Sequence, residues 1–213
     1  MIRLGRPLFL VGGFVLYALG AAVAKWAGMH IDTGLYVLGQ VGVTTFQLMT
    51  HYANDYYDYE ADWLNATPTS WSGGSRVLIG GEIPRETALI VAIFLAASGC
   101  VAIALVAATG RSGPFAVPTL FLMGILSWAY SAPPLKLHSR GLGELNVALV
   151  VTGLVPFLGF YLQSPFLDAL DLLLMVIAPL CCLQFAMLLA IEFPDAASDA
   201  VAGKRTLVVR LGP

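Results

Sequence analysis

Six long stretches without a charged residue constrain this chain more than any other feature. They cover positions 8–24, 33–54, 87–110, 112–135, 145–167 and 172–191, with lengths of 17, 22, 24, 24, 23 and 20 residues. A bilayer core offers no water to backbone N–H and C=O groups, so a spanning segment must satisfy them within a helix or a closed barrel. About 20 apolar residues suffice for one helical span. The stretches therefore predict an all-α, multi-pass transmembrane helical bundle of six spans, near 8–24, 34–54, 87–110, 114–132, 145–166 and 172–192. They form a single domain over 1–213. Pro114 and Pro118 should trim or kink the fourth span, and Pro179 lies inside the sixth. Composition removes the other classes. Charged residues make up 11% and hydrophobic residues 58%, with a mean hydropathy of +0.81, whereas soluble domains carry roughly a quarter charged residues. Disordered chains are poor in apolar residues, and a net charge of −2 gives no general attraction for nucleic acid.

The first stretch also imitates a secretory signal, with Arg3 and Arg6 before it and Ala22-Val23-Ala24 at its end. Five further apolar spans follow it, which favours a retained helix. Orientation comes from the basic residues. Six spans put Arg3, Arg6, Arg76, Arg85, Lys136, Arg140, Lys204, Arg205 and Arg210 on one side, and only Lys25 and Arg111 on the other. The N-terminus is thus predicted to be cytoplasmic, in the inner (cytoplasmic) membrane of the cell. Ten of the thirteen acids fall on the same side, leaving Asp32, Asp168 and Asp171 opposite. Acids do not set topology, so their clustering marks a site opening toward the cytoplasm. Cys100, Cys181 and Cys182 lie in apolar spans without partners at ligand spacing and read as packing residues. His30 and His138 read as connector residues, and His51 as a polar wall residue.

Two acidic sets stand out. The second span runs into Asn54-Asp55-Tyr56-Tyr57-Asp58-Tyr59-Glu60-Ala61-Asp62. If the helix continues, Asp55, Asp58 and Asp62 share an arc of about 60°. The sixth span ends in Glu192-Phe193-Pro194-Asp195-Ala196-Ala197-Ser198-Asp199. Pro194 disfavours helical geometry at Phe193, so a helix restarting there keeps Asp195 and Asp199 on one face and separates Glu192. Converging carboxylates need a cation, and Mg2+ takes one or two carboxylates together with phosphate oxygens. The plainer alternative, two solvated helix ends, leaves the matched spacing unexplained. Arg76, Lys136, Lys204 and Arg205 interleave with the acids and suit a metal–diphosphate group. The glycine-rich connector Ser72-Gly73-Gly74-Ser75-Arg76 fits a phosphate-cradling nest and a tight loop equally well. Nucleotide-binding P-loop, zinc-protease and calcium-loop motifs are absent from the sequence.

The segment from Asn54 to Asp62 resembles the first aspartate-rich motif, N-D-x-x-D-x-x-x-D, of the UbiA superfamily of intramembrane prenyltransferases. Asp195-Ala196-Ala197-Ser198-Asp199 resembles its second, D-x-x-x-D. Gly73-Gly74-Ser75-Arg76, Tyr130-Ser131-Ala132-Pro133-Pro134-Leu135-Lys136 and Gly203-Lys204-Arg205-Thr206-Leu207 match the surrounding motifs in order. Residues 56–78 and the Glu-Phe-Pro-Asp form of the second motif look most like the menaquinone-pathway branch, which prenylates 1,4-dihydroxy-2-naphthoate. The resemblance implies two Mg2+ ions, held by Asn54 and Asp58 and by Asp195 and Asp199, gripping an allylic polyprenyl diphosphate. It gives catalytic roles to Asp58, Asp62, Asp195 and Asp199, and to Tyr130 as the aromatic face for an allylic carbocation. Asp55, Asp62 and Glu192 would stand behind the metal ligands or orient the aromatic acceptor, and Arg76, Lys136 and Lys204 would bind the departing diphosphate. Family members are nine-helix proteins, so a sequence ending at Arg210-Leu211-Gly212-Pro213 is expected to be a C-terminal truncation. Within the family, 4-hydroxybenzoate, a tetrapyrrole or a lipid glycerol are alternative acceptors. Outside it, the rival is a multi-pass cation transporter or channel. The sequence assigns no oligomeric state.

Overall fold

The computed structural model describes residues 1–69 and 71–212; Pro213, the last residue of the expected truncation point, lies outside them. Among the described residues every regular element is helical. A short 3-10 turn, Ile2–Gly5, leads through Arg6 in the left-handed region (φ 46°) into α1, Pro7–Trp26. Proline suits this first helical position because its missing N–H has no intrahelical partner there. Helix α2, Thr33–Tyr57, starts at Asp32, whose carboxylate accepts from the Leu35 N–H at 3.0 Å, an N-cap that satisfies one orphan donor. The short α3, Tyr59–Leu64, follows. Pro84 precedes α4, Arg85–Ala108, and α5 is Gly113–Ser131, with Pro114 in its first turn and Pro118 inside it.

Helix α6, Gly143–Val147, passes through a π-helical stretch, Ala148–Leu154, into α7, Val155–Tyr161. The wide turn directly precedes Pro156, which has no N–H to offer the preceding turn. Within this stretch Thr152 Oγ donates to the Ala148 carbonyl at 2.7 Å. Helix α8, Leu170–Glu192, ends in the 3-10 turn Phe193–Asp195, and α9, Ala196–Val201, and α10, Leu207–Leu211, complete the chain. The break at Pro194 is where residue chemistry placed it.

Among the described residues, five segments are long and apolar enough to cross a membrane: Pro7–Trp26, Arg85–Ala108, Gly113–Ser131, Gly143–Tyr161 and Leu170–Val201. The expected span at 34–54 is the exception. Its helix, α2, has 25 residues, about 37 Å at 1.5 Å per residue, but its sequence carries Gln40, Thr44, Thr45, Gln47, Thr50 and His51. This polarity fits its place, because α2 packs against α1, α4, α5 and α7. Gln47 donates to the Phe9 carbonyl of α1 at 2.8 Å, and Gln40 donates to Thr44 within α2 at 3.0 Å while its buried Oε1 has no partner among the described residues. The fifth span is shorter than expected, ending at Tyr161 rather than near 166.

Helix α1 is built into the bundle. A Cβ at Gly20 would collide with the Pro156 carbonyl oxygen, and one at Gly159 with that of Tyr17. Small residues allow this backbone approach between membrane helices. The charged groups gather at one end, where Arg3 pairs with Glu82 at 2.7 Å and both acidic sets lie. The opposite end holds the exposed pair Arg111–Asp32 at 2.6 Å.

Candidate active site

The two acidic sets, far apart in sequence, meet through one lysine. Lys204 Nζ lies 3.0 Å from Asp58 Oδ2 and 3.2 Å from Asp199 Oδ1, with only 13% of its side chain exposed. Gly203, in a left-handed conformation (φ 76°), ends α9. The chain turns back there, and the Lys204 N–H donates to the Asp199 carbonyl at 2.8 Å. Burial opposes the Lys204 ammonium, yet Asp58 and Asp199 hold its proton more tightly than on an ordinary lysine.

Asp58 terminates α2. Its N–H donates to the Asn54 carbonyl and its carbonyl accepts from the Asp62 N–H, so helical bonding continues through a kink rather than along a straight helix. Its Oδ1 lies 2.6 Å from His138 Nε2, and its Oδ2 accepts from Asn54 Nδ2 at 2.7 Å. Burial works against the Asp58 carboxylate, but Lys204 and His138 outweigh it and hold its pKa well below the usual range. At Asp62 the pull of Lys204 and Arg6 falls short. Burial first, then the neighbouring Asp58, push it up to about 7.

Asp55 does not join Asp58. It is buried and pairs with Arg6 at 2.6 Å, and it also accepts from the Ser75 hydroxyl. Through these contacts Asp55 ties the N-terminal turn to the glycine-rich connector. Asn54 Oδ1, the oxygen expected to face a metal, accepts from Arg6 at 3.1 Å. In the second set, Asp195 accepts from Asn65 Nδ2 at 2.7 Å and from the Gly73 N–H at 3.0 Å. The connector's N–H at Gly73 is thus engaged by a carboxylate, and the loop serves as a clamp between the acidic sets rather than an open phosphate nest. Its glycines are needed there. Gly74 has φ 73°, and a Cβ on it would strike the Asp62 carboxylate. Arg76, also left-handed (φ 63°), donates to the Asp62 carbonyl.

Lys136 is exposed and lines a polar cavity of about 130 Å³ with Tyr57, Asp58, His138, Ser139 and Lys204. Tyr130 packs its ring on His138, centroids 5.2 Å apart. Glu192 closes α8 one turn before Asp195. The structure thus brings together Asp58, Asp199, Lys204 and Lys136, seats Tyr130 beside them through His138, and sets Asp55 apart. His138 was not expected. It is 5% exposed, with Nδ1 at 2.6 Å from the Tyr130 carbonyl and Nε2 on Asp58. Its position two residues beyond the matched motif that ends at Lys136 was the available signal. An apolar hollow of about 310 Å³ lies between α2, α4 and α5, lined by Phe46, Met49, Ile103, Trp128, Pro134 and Leu135 among others. Leu135 on its rim is followed by Lys136 of the polar cavity.

Among the described residues no three His, Cys, Asp or Glu side chains are arranged to hold one metal ion. The donor chemistry nevertheless suits a hard cation. The groups are carboxylate oxygens, which Mg2+ prefers.

The chain matches the model of the UbiA prenyltransferase family over residues 14–213. It is 30% identical, over 217 aligned positions, to the 1,4-dihydroxy-2-naphthoate octaprenyltransferase of Escherichia coli (strain K12), covering 97% of this chain and 67% of that protein. It is also 30% identical, over 216 positions and with the same two coverages, to the protein of that name from Haemophilus influenzae (strain ATCC 51907 / DSM 11121 / KW20 / Rd). The chain thus spans about two thirds of the curated relatives it matches. No solved structure matches it.

Proposed function

We propose that this chain, which belongs to the UbiA prenyltransferase family and is a multi-pass membrane enzyme of that class, transfers a polyprenyl group from an allylic polyprenyl diphosphate to a hydroxylated aromatic acceptor. 1,4-Dihydroxy-2-naphthoate is the acceptor of choice, on the names of its two relatives. The observation that carries the reading is the Lys204 ammonium seated between a carboxylate of each acidic set. The nine-to-two distribution of basic residues supports a cytoplasmic opening for this end of the bundle.

Asn54, Asp58, Asp195 and Asp199 would hold two Mg2+ ions, which when bound supply positive charge to the diphosphate. Lys136 and Lys204, on one polar cavity, and Arg76, near Asp62, add cationic donors for its oxygens. The allylic C–O bond breaks with its electron pair leaving on diphosphate, and the allylic carbon becomes cationic. The Tyr130 ring, held by His138, offers the π face that stabilises such a cation. The ring carbon of the acceptor then bonds to it. The apolar hollow beside Leu135 suits the first isoprene units and keeps water from the cation, strengthening every electrostatic contact there. A cation-conducting path fits less well, because both acidic sets lie at one end of the bundle, at the ends of α2 and α8, rather than near its middle.

Membranes containing the protein, given polyprenyl diphosphate, Mg2+ and a panel of naphthoate and benzoate acceptors, should form prenylated product. Asp58→Asn and Asp195→Asn should each lower its rate by roughly 100-fold or more, the usual effect of removing a transition-state electrostatic partner. Unchanged rates in both variants would remove the assignment of the acidic sets.

A further inference from the structure

The turn after α5 grips the site from a third side. Leu137–Arg140 is a 3-10 turn set between two left-handed residues, Lys136 (φ 44°) and Gly141 (φ 69°). These reversals bury His138, while Lys136 and Arg140 on either side of it stay exposed. The turn reaches both acidic sets. His138 Nε2 lies 2.6 Å from Asp58 Oδ1. The Ser139 carbonyl accepts at 2.9 Å from the N–H of Arg205, the residue after Lys204.

Both nitrogens of the His138 ring face acceptors. Nδ1 is 2.6 Å from the Tyr130 carbonyl, which can only accept, so Nδ1 carries hydrogen. Asp58 Oδ2 accepts from Asn54 Nδ2 at 2.7 Å and lies 3.0 Å from Lys204 Nζ. A carboxyl in contact with an ammonium is held in its charged form, so Nε2 donates to its other oxygen. The Ser139 hydroxyl, 3.1 Å from Nε2, is a second and longer contact of the same N–H. Among the described residues Oδ1 has no donor besides His138, whereas Oδ2 has two. Of these partners Lys204 is the one that can leave, on a flexible four-carbon stem. The imidazole is anchored, with Nδ1 tied to the backbone of Tyr130 and its ring 5.2 Å from the Tyr130 ring between centroids.

We propose that His138, anchored on Tyr130, is a positioning residue that holds Asp58 by Oδ1 and so presents Oδ2 to a divalent cation and its diphosphate, an inference that rests on the function proposed above. Asp58, His138 and Lys204 line one polar cavity, so the presented oxygen faces the space a diphosphate would enter. Once Lys204 gives up Oδ2 to a cation, the bond from Nε2 still keeps the carboxylate from turning. Hydrogen bonds behind a metal-binding carboxylate fix its orientation, and losing one costs roughly 10–100-fold in affinity or activity. His138 touches neither substrate and transfers no proton; it acts through Asp58.

Two substitutions separate the two ring nitrogens, tested on the full chain in lipid nanodiscs. His138→Gln places an amide N–H close to the position of Nε2 and keeps a donor for Asp58. His138→Asn places one close to Nδ1, keeps the Tyr130 carbonyl satisfied and leaves Asp58 Oδ1 bare. His138→Asn should lower kcat for prenylated product roughly 10–100-fold, and His138→Gln should recover most of that loss. Equal losses in the two variants mark a buried histidine with a purely structural role and overturn the proposal. Parent kcat in His138→Asn overturns it as well. A second readout needs no turnover. The chain has three histidines, so 15N-histidine labelling resolves the ring nitrogens of His138, identified by their loss in the variants. Mg2+ added without substrate should shift Nε2 and leave Nδ1 in place. An Nε2 signal that Mg2+ does not move overturns the link to the cation. Failure of the unsubstituted protein to form prenylated product with any acceptor sinks the prenyl-transfer reading, whereas failed rescue in an active protein sinks the role of His138 alone.

Discussion

Replacing Lys204 with methionine removes the charge that joins the two acidic sets while keeping most of the side-chain volume. Its ammonium is 3.0 Å from Asp58 and 3.2 Å from Asp199, so those carboxylate oxygens are at most about 6 Å apart. At an effective dielectric constant of about 20, two negative charges at that separation repel by about 3 kcal/mol. The value agrees with the roughly 3–5 kcal/mol lost when one partner of a buried ion pair is removed. Asp58 keeps His138 on its other oxygen, which favours the lower end. At roughly 2–4 °C per kcal/mol for a chain of this size, the thermal midpoint in EDTA should fall by about 6–12 °C. Millimolar Mg2+ should return more of the midpoint in Lys204→Met than in the parent, because a divalent cation can then occupy the space between the carboxylates. Thermal unfolding in detergent micelles, with EDTA and with Mg2+, measures both quantities. A midpoint within about 2 °C of the parent in EDTA would refute the charge-balancing role of Lys204. A large drop that Mg2+ leaves untouched would refute the cation-binding role of the carboxylates.

Two further outcomes follow from single residues. Asp62 titrates near 7 in the folded chain against an ordinary 3.8, so its neutral form is the one the fold favours. Its stabilising contribution is complete below about pH 4, declines as pH rises toward 7, and is gone above it. Metal-free protein should therefore unfold more easily at pH 8 than at pH 5, and Asp62→Asn should flatten that dependence; an unchanged profile in the variant counts against the crowding of Asp58 and Asp62. Gly20→Ala places a methyl group against the Pro156 carbonyl and should cost about 1–3 kcal/mol through overpacking, whereas Gly12→Ala, which meets nothing within 4 Å, should leave the thermal midpoint unchanged. Equal midpoints for both alanine variants would refute the close α1–α7 contact.

The helical bundle was legible because charge is scarce: in an 11% charged chain, each gap in the charges outlines a span, and each cluster of them a functional end. The one span whose hydropathy misleads is α2. Its polar residues are tolerated since four neighbouring helices cover it, and burial by neighbours cannot be read from a helix's own sequence. The helix break ahead of the second acidic set was legible, because the geometric constraint at Pro194 is local.

The partners of the acids were not legible, and Asp55 shows why. At 100° per residue, Asp55 and Asp58 are offset by only about 60° around the helix, close enough to read as one ligand face. The direction of that face was recoverable; what stands opposite it was not. Arg6 approaches one side of the offset from 49 residues away, while His138 approaches the other from 80. Each is placed by chain reversals, the left-handed residue before α1 and the loop after α5, that carry no periodic signal. An offset of about 60° is thus enough to pair one carboxylate with Arg6 and its neighbour with His138 and Lys204. The separation has a physical use as well. With Arg6 neutralising Asp55, the negative field around Asp58 is reduced, so the charge left for Lys204 and a divalent cation comes from Asp58, Asp62 and Asp199. The anchoring pair thereby limits how many carboxylates the cations must balance, and Arg6, which sequence alone read as a topology marker, becomes part of what sets the charge of the site.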